Sequence, residues 1–273
     1  MSKKNISPKN SLLYILLLLL LILTFSTSSQ TVSAVEALES LNSIETGVFT
    51  SGELAYVSNG KDLGSETYEL TKKESGEIVL TSNGVVTPPI PIPFVKPKIK
   101  FDQEITVGAD FSPKSLRLNY NGPLGIGSDK IRATVRDGRI DAVLGGDNKQ
   151  ADLRATYSFF LGTVSSQALT SLILVSNNGL EEITEIRTGG TGPQSGDKDR
   201  LKVKLRLLRK EIQQLTVEEN SQQVERYVLN DPETGVDKVI ITTGGTFIAY
   251  LRVGGENPFY VYRTDLLGKD YEF

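Results

Sequence analysis

Two kinds of side chain that carry acid–base and covalent chemistry near neutral pH are missing from this chain: it has no histidine and no cysteine. Thiol catalysis, imidazole general-base catalysis and the usual nitrogen- and sulfur-ligated zinc sites are closed to it. A Ser-His-Asp triad cannot be assembled within it. Serine with lysine, and carboxylates, remain. Ser195-Gly196-Asp197-Lys198 and Ser58-Asn59-Gly60-Lys61 both have the Ser-x-x-Lys spacing of serine acyltransferases. Both occupy turn-like stretches and lack the companion motifs, so the spacing reads as coincidence. Asp231, Glu233 and Asp237 could offer oxygens to calcium, yet the segment lacks the dense alternation of a calcium loop, and Asp231-Pro232 reads as a solvated turn. Gly122, Gly125 and Gly127 fit neither phosphate-loop spacing and read as a tight connection between strands. No catalytic residue, metal ligand or cofactor site is assigned. A carboxylate- or lysine-dependent hydrolase or lyase stays open as an alternative, because a working pair cannot be picked from 33 acidic residues without their separation in space.

The pattern with a positive reading is Lys202, Lys204 and Arg206 alternating with Leu201, Val203, Leu205 and Leu207. On a strand, the basic side would meet a phosphate or carboxylate head group while the apolar side lines a cavity. The same alternation also describes an ordinary solvated face over a core. Lys202, Lys204, Arg206, Leu205 and Leu207 are the candidate ligand-binding residues. Leu201, Leu205, Leu208, Ile212 and Leu215 also fall at helical spacing, in a stretch of helix-favouring residues. A long strand is favoured, because Glu225 to Leu229 and the turn Asp231-Pro-Glu-Thr-Gly235 continue a meander beyond it.

The elements that must position such residues are marked by turn chemistry. Asn59-Gly60, Asn83-Gly84, Asn121-Gly122, Asp137-Gly138 and Asn178-Gly179 put residues tolerant of positive φ where tight hairpins need them. Between and beyond them lie short alternating segments, such as Leu116, Leu118 and Tyr120, then Ile131, Ala133 and Val135, and later Phe247, Ala249 and Leu251. This predicts a mainly β fold, a curved antiparallel sheet forming a half-barrel or barrel. Val35, Ala37, Leu38, Leu41 and Ile44 predict a short amphipathic helix over 35–46. Thr87 to Pro97 holds five prolines and reads as an extended connector, and 189–199 reads as a flexible loop.

At the start, Lys3, Lys4 and Lys9 precede a twelve-residue run of Leu, Ile and Tyr from Leu12 to Leu23, followed by a polar stretch ending Val32-Ser33-Ala34. These are the three regions of a secretory signal, with cleavage expected after Ala34. The alternative is an uncleaved membrane anchor. Residues 35–273 are read as one β-rich domain, exported to the periplasm or the exterior. Losing 1–34 removes three lysines and no acid, leaving 27 basic against 33 acidic side chains. No nucleic-acid partner is expected of that balance.

The strand from Gly52 to Val57, the turn Ser58 to Gly64 and the strand from Ser65 to Leu70, with Gly60-x-x-Leu63-Gly64-x-x-x-Tyr68 inside it, resemble the opening of a family of exported bacterial domains of unknown function. That family is similar to the periplasmic lipoprotein-carrier half-barrel. Arg209 to Ile212, Arg226 to Leu229 and Asp237 to Ile240 resemble its closing meander. The resemblance implies a curved sheet sheltering acyl chains and no catalytic residue. The expected function is non-enzymatic binding or carriage of an apolar or amphiphilic, lipid-like molecule at the cell envelope. The alternative is an envelope or surface module that binds another protein.

Overall fold

The computed structural model describes residues 44–87, 97–123, 128–177, 179–187, 201–217, 220–253, 259–268 and 271. The signal segment with Ala34, the Pro-rich stretch save its end residues and the loop 189–199 lie outside the described residues. So does the N-terminal helix, except Ile44 to Thr46, which are not helical.

Among the described residues, fifteen strands form one sheet in the order β8-β7-β6-β5-β4-β3-β2-β1-β15-β14-β13-β12-β11-β10-β9. The first half is a meander from β1 (Gly47–Ser58) and β2 (Lys61–Lys72) through β3 (Ile78–Val86), β4 (Ile99–Val107), β5 (Pro113–Asn121), β6 (Asp129–Arg136) and β7 (Arg139–Leu144) to β8 (Asp147–Asp152). The second runs from β9 (Ser158–Leu161) and β10 (Glu182–Arg187) through β11 (Lys202–Val217), β12 (Asn220–Asp231), β13 (Val236–Thr243) and β14 (Thr246–Val253) to β15 (Phe259–Arg263), which pairs with β1. The sheet is curved and unclosed. Its end strands β8 and β9 are consecutive in the chain, joined by 153–157. Five residues span at most about 18 Å, so the two ends must lie close together.

Local turn chemistry holds at Asn59-Gly60 and Asp137-Gly138, where both residues have positive φ (50° and 69°; 50° and 71°). Such paired left-handed residues match the twist of a hairpin. Gly145-Gly146 and Gly244-Gly245 do the same at β7–β8 and β13–β14. Asn83-Gly84, expected as a turn, instead lies inside β3. A β-carbon on Gly84 would come 2.4 Å from the Ser65 carbonyl oxygen of β2 and 2.5 Å from the Phe101 ring of β4, so glycine there lets both neighbours close in. The strand reading of 201–215 holds from Lys202: β11 pairs with β10 over Lys202 to Arg206 and with β12 from Arg206 to Val217.

All pairs are antiparallel except β9–β10, which are parallel. A parallel pair needs a crossover, and here it is the helix α1 (Ser166–Ser176), about 16 Å long. Ten of its eleven residues are buried, polar ones included. It packs against β9, β13 and β14 on the concave side, so the sheet wraps around its own crossover helix. Inward residues such as Leu54, Leu70, Leu80, Ile105, Leu118, Ile183, Leu205 and Phe247 form one core with Leu169 and Ile173 of that helix. A second apolar cluster (Val228, Val239, Ile241, Ile248, Ala249, Tyr262) lies on the other face, with Leu267 of the short helix α2 (Thr264–Leu267) against it.

Candidate functional site

Most inward positions of the sheet are apolar, but four adjacent strands carry a polar residue along a diagonal. They are Tyr56 on β1, Glu66 on β2, Ser82 on β3 and Gln103 on β4, all buried. Tyr56 is opposite Gly64, two before Glu66; Glu66 is opposite Gly84, two after Ser82; and Ser82 is opposite Gln103. Across this belt lies the segment Gly162 to Ser165 that opens α1. A helix start leaves backbone N–H groups without intrahelical partners, and this sheet supplies acceptors for three in succession. Thr163 N–H donates to Gln103 Oε1 (2.8 Å), Val164 N–H to Tyr56 Oη (3.4 Å) and Ser165 N–H to Glu66 Oε2 (3.2 Å). Glu66 also accepts from the hydroxyls of Tyr56, Thr163 and Ser165, the last at 2.6 Å. Gln103 Nε2 donates to Thr163 Oγ1 (2.5 Å) and Ser165 Oγ (2.7 Å). The first turn of α1 has no acidic residue of its own. Glu66 provides that negative charge from another element, where the helix dipole favours it. Burial, and then the charge of Glu66, push the Tyr56 phenol well above its ordinary pKa, which keeps it a donor. Gly162 is part of the fit, since a β-carbon there would fall on the Gln103 side-chain oxygen.

At the opposite end of α1 a cavity of about 200 Å³ opens at one mouth of the wrapped sheet. Its walls are mixed: Phe49, Leu70, Ala168, Leu172, Val175 and Phe247 are apolar, while Thr50, Tyr68, Thr246 and the Gly244-Gly245 turn present polar atoms. Ser176 Oγ also faces it, buried and with no hydrogen-bond partner among the described residues. Nearby, the buried Arg263 guanidinium lies 5.9 Å from the centre of the Tyr68 ring and is forked onto Asp265. Gly52 leaves the space, as its β-carbon would sit 2.7 Å from both Arg263 and Tyr68. Burial raises the Tyr68 phenol to about 12, against the pull of Arg263.

A third polar cluster is buried between β10, β12 and β13. Glu185 pairs with Lys238 and, at 2.8 Å, with Arg187, which reaches Asp231 at 3.2 Å. Two acids and two bases balance. Burial opposes ionisation of Glu185, but Lys238 and Arg187 outweigh it and hold the carboxyl below its ordinary range. Burial depresses Lys238. Asp231 is thereby engaged with Arg187 and with Glu233 N–H, while Asp237 accepts from Asn230. The three acids of that turn do not converge, and no metal-ligating cluster occurs among the described residues.

The residues expected to bind a ligand are separated by the strand itself. Lys202, Lys204 and Arg206 point outward and are exposed, with Lys204 paired to Glu182 at 2.8 Å and Lys202 bonded to the Asp152 carbonyl. Leu205 is fully buried in the core, and the partly buried Leu207 packs against it. None of the five lines the cavity.

Solved structures that are similar to this chain include the following. One is a β-barrel-like protein of domain of unknown function DUF1849 from Brucella abortus, 9% identical, covering 80% of this chain and 95% of that one at a TM-score of 0.49. Another is a DUF1089-family protein from Pseudomonas aeruginosa, 12% identical, covering 75% and 91% at a TM-score of 0.35. No family model and no curated protein matches the sequence.

The sequence reading missed α1, Glu66 and the cavity walls. Ala168, Leu169, Leu172 and Ile173 do fall at helical spacing after two serines suited to a helix start. Alternation with Tyr68 and Leu70 puts Glu66 on the inward face and Glu69 on the outward one, but nothing local says what would partner a carboxylate there.

Proposed function

We propose that this is an exported, non-enzymatic binding domain of the cell envelope that holds the apolar end of a small amphiphile in the cavity at its mouth. The observation that carries the reading is the cavity of about 200 Å³, walled in part by Phe49, Leu70, Ala168, Leu172, Val175 and Phe247. An apolar cavity of about 150 Å³ admits a benzene-sized molecule. This one is of similar size but has a mixed lining, with Thr50, Tyr68 and Thr246 beside the apolar walls, so it suits one short alkyl or aromatic group joined to a polar head rather than a two-chain lipid. The concave face, which shelters the ligand in the carrier-like reading, is taken up here by α1. The signal-like leader and the hairpin's resemblance to exported carrier-like domains support the location and the ligand class. Burial of about 100 Å² of tail surface would contribute about 2.5 kcal/mol before the costs of association.

The test is isothermal titration with hexanoate, decanoate and palmitate, alongside native mass spectrometry of protein taken from its host. Binding should strengthen with chain length until the cavity is full and then level off. Val175→Phe, which fills the cavity from its wall, should abolish binding while circular dichroism remains unchanged. Absence of binding by all three, or binding that Val175→Phe leaves intact, would overturn the proposal.

A further inference from the structure

β11 is the longest of the described strands, and its two edges are treated differently. Along one edge β12 pairs with it as far as Val217. Along the other, β10 pairs only with Lys202 to Arg206, and the last bond is Leu207 N–H to the Glu181 carbonyl, 2.9 Å. From Leu208 onward no described strand covers that edge. β13 in turn supports β12 only from Glu225. A bulge between Leu207 and Arg209 turns the strand as it leaves the sheet. A two-stranded ribbon is marginal in water, and an unpaired edge is a template for another strand. Leu208 and Ile212 lie along it, 56% and 53% exposed.

Edges are commonly guarded by free charges, but the basic residues here are engaged within their own ribbon. Lys210 is drawn back over the Tyr227 ring (5.2 Å to its centre) and onto Glu225 (2.8 Å). Arg209 lies 3.3 Å from Glu211, which also pairs with Arg226 at 2.9 Å.

We infer that this edge is an interface with a second copy of the chain, the two β11 strands pairing antiparallel about a two-fold axis at Lys210. The register follows from the sequence Leu208-Arg-Lys-Glu-Ile212. A two-fold through Lys210 sets each Leu208 opposite Ile212 of the copy and each Arg209 opposite its Glu211. Apolar and opposite-charge cross-strand pairs are the stabilising ones. Moving the axis to Arg209 or to Glu211 sets that charge against itself and each leucine or isoleucine against a polar residue. Moving it to Ile212 sets Leu208 against Thr216. The two central lysines are tolerated because each ammonium is held by Glu225 of its own chain. The product is a four-stranded ribbon with an isologous contact.

The absence of native cysteine gives a clean test. In the full mature chain Lys210→Cys places one thiol opposite its own copy, whereas in Gln214→Cys the two thiols lie about 27 Å apart. Under mild oxidation the first variant should form disulfide dimers at least tenfold faster than the second. A mixture of Leu208→Cys and Ile212→Cys chains should form the mixed dimer in preference to either homodimer. In sedimentation equilibrium of the cysteine-free chain, Ile212→Lys, an exposed change, should raise the dimer dissociation constant at least tenfold. A wild-type chain that sediments as a monomer, or cross-linking at 210 no faster than at 214, would overturn the inference.

Discussion

Replacing Glu66 by alanine removes the acceptor on which four donors converge at the start of α1: the hydroxyls of Tyr56, Thr163 and Ser165 and the Ser165 N–H. Thr163 and Ser165 can turn to Gln103 and to each other, since their hydroxyls already lie 3.1 Å apart. Tyr56 O–H and Ser165 N–H have no such alternative in the described network. Each buried donor left unsatisfied costs about 1–3 kcal/mol, and the vacated side-chain volume adds to that. Relief from holding a carboxylate in the core offsets part of the loss. The expected net cost is about 3–5 kcal/mol. For a chain of this size each kcal/mol lowers Tm by about 2–4 °C, so the midpoint should drop by roughly 6–20 °C. Urea unfolding followed by far-ultraviolet circular dichroism measures the loss, and hydrogen exchange should show the amides of Thr163 to Ser165 deprotected first. Glu66→Gln keeps one acceptor oxygen and should cost about half as much. Gly162→Ala, which pushes a methyl onto the Gln103 amide, should loosen the same amides. A Glu66→Ala protein within about 1 kcal/mol of wild type would refute the view that this carboxylate anchors the helix.

Two further outcomes follow from other contacts. Leu205→Asp buries a charge without a partner and should prevent folding or cost at least about 4 kcal/mol. Lys204→Glu loses only the exposed pair with Glu182 and should change urea stability by less than about 1 kcal/mol. The Glu185 and Asp231 carboxyls both ionise more readily folded than unfolded. At Glu185 burial is outweighed by Lys238 and Arg187; at Asp231 it is outweighed by the Glu233 N–H, Thr234 and Arg187. The unfolded chain then takes up more protons in acid, so their contribution is complete above about pH 4.5 and is lost as pH falls through the folded values. Thermal midpoints should be level near neutrality and decline below that point. In Glu185→Leu/Lys238→Met the acid slope should flatten with little loss at neutral pH, and an unchanged slope would count against this origin.

The sequence by itself determined what depends on residues near one another in the chain. The absence of histidine and cysteine excludes whole chemistries regardless of fold. Asn59-Gly60 and Asp137-Gly138 turn as expected because positive φ at two adjacent residues is a local demand that these types meet cheaply. Alternation along Leu201 to Leu207 already separated core side from solvent side. At Asn83-Gly84 the same dipeptide lies within a strand, because what selects glycine there is the close approach of the Ser65 carbonyl and the Phe101 ring on the two flanking strands. Strand periodicity states which face turns inward but not what fills the space it encloses. That space is taken by α1, whose polar residues lie buried on the concave side because the parallel β9–β10 pair obliges the chain to cross over. Tyr56, Glu66 and Gln103 meet Thr163 to Ser165 from 60 to 108 positions away. Only the register of β1 to β4 brings them onto one diagonal of the inner face, and register arises from pairings between strands, which no window of sequence contains.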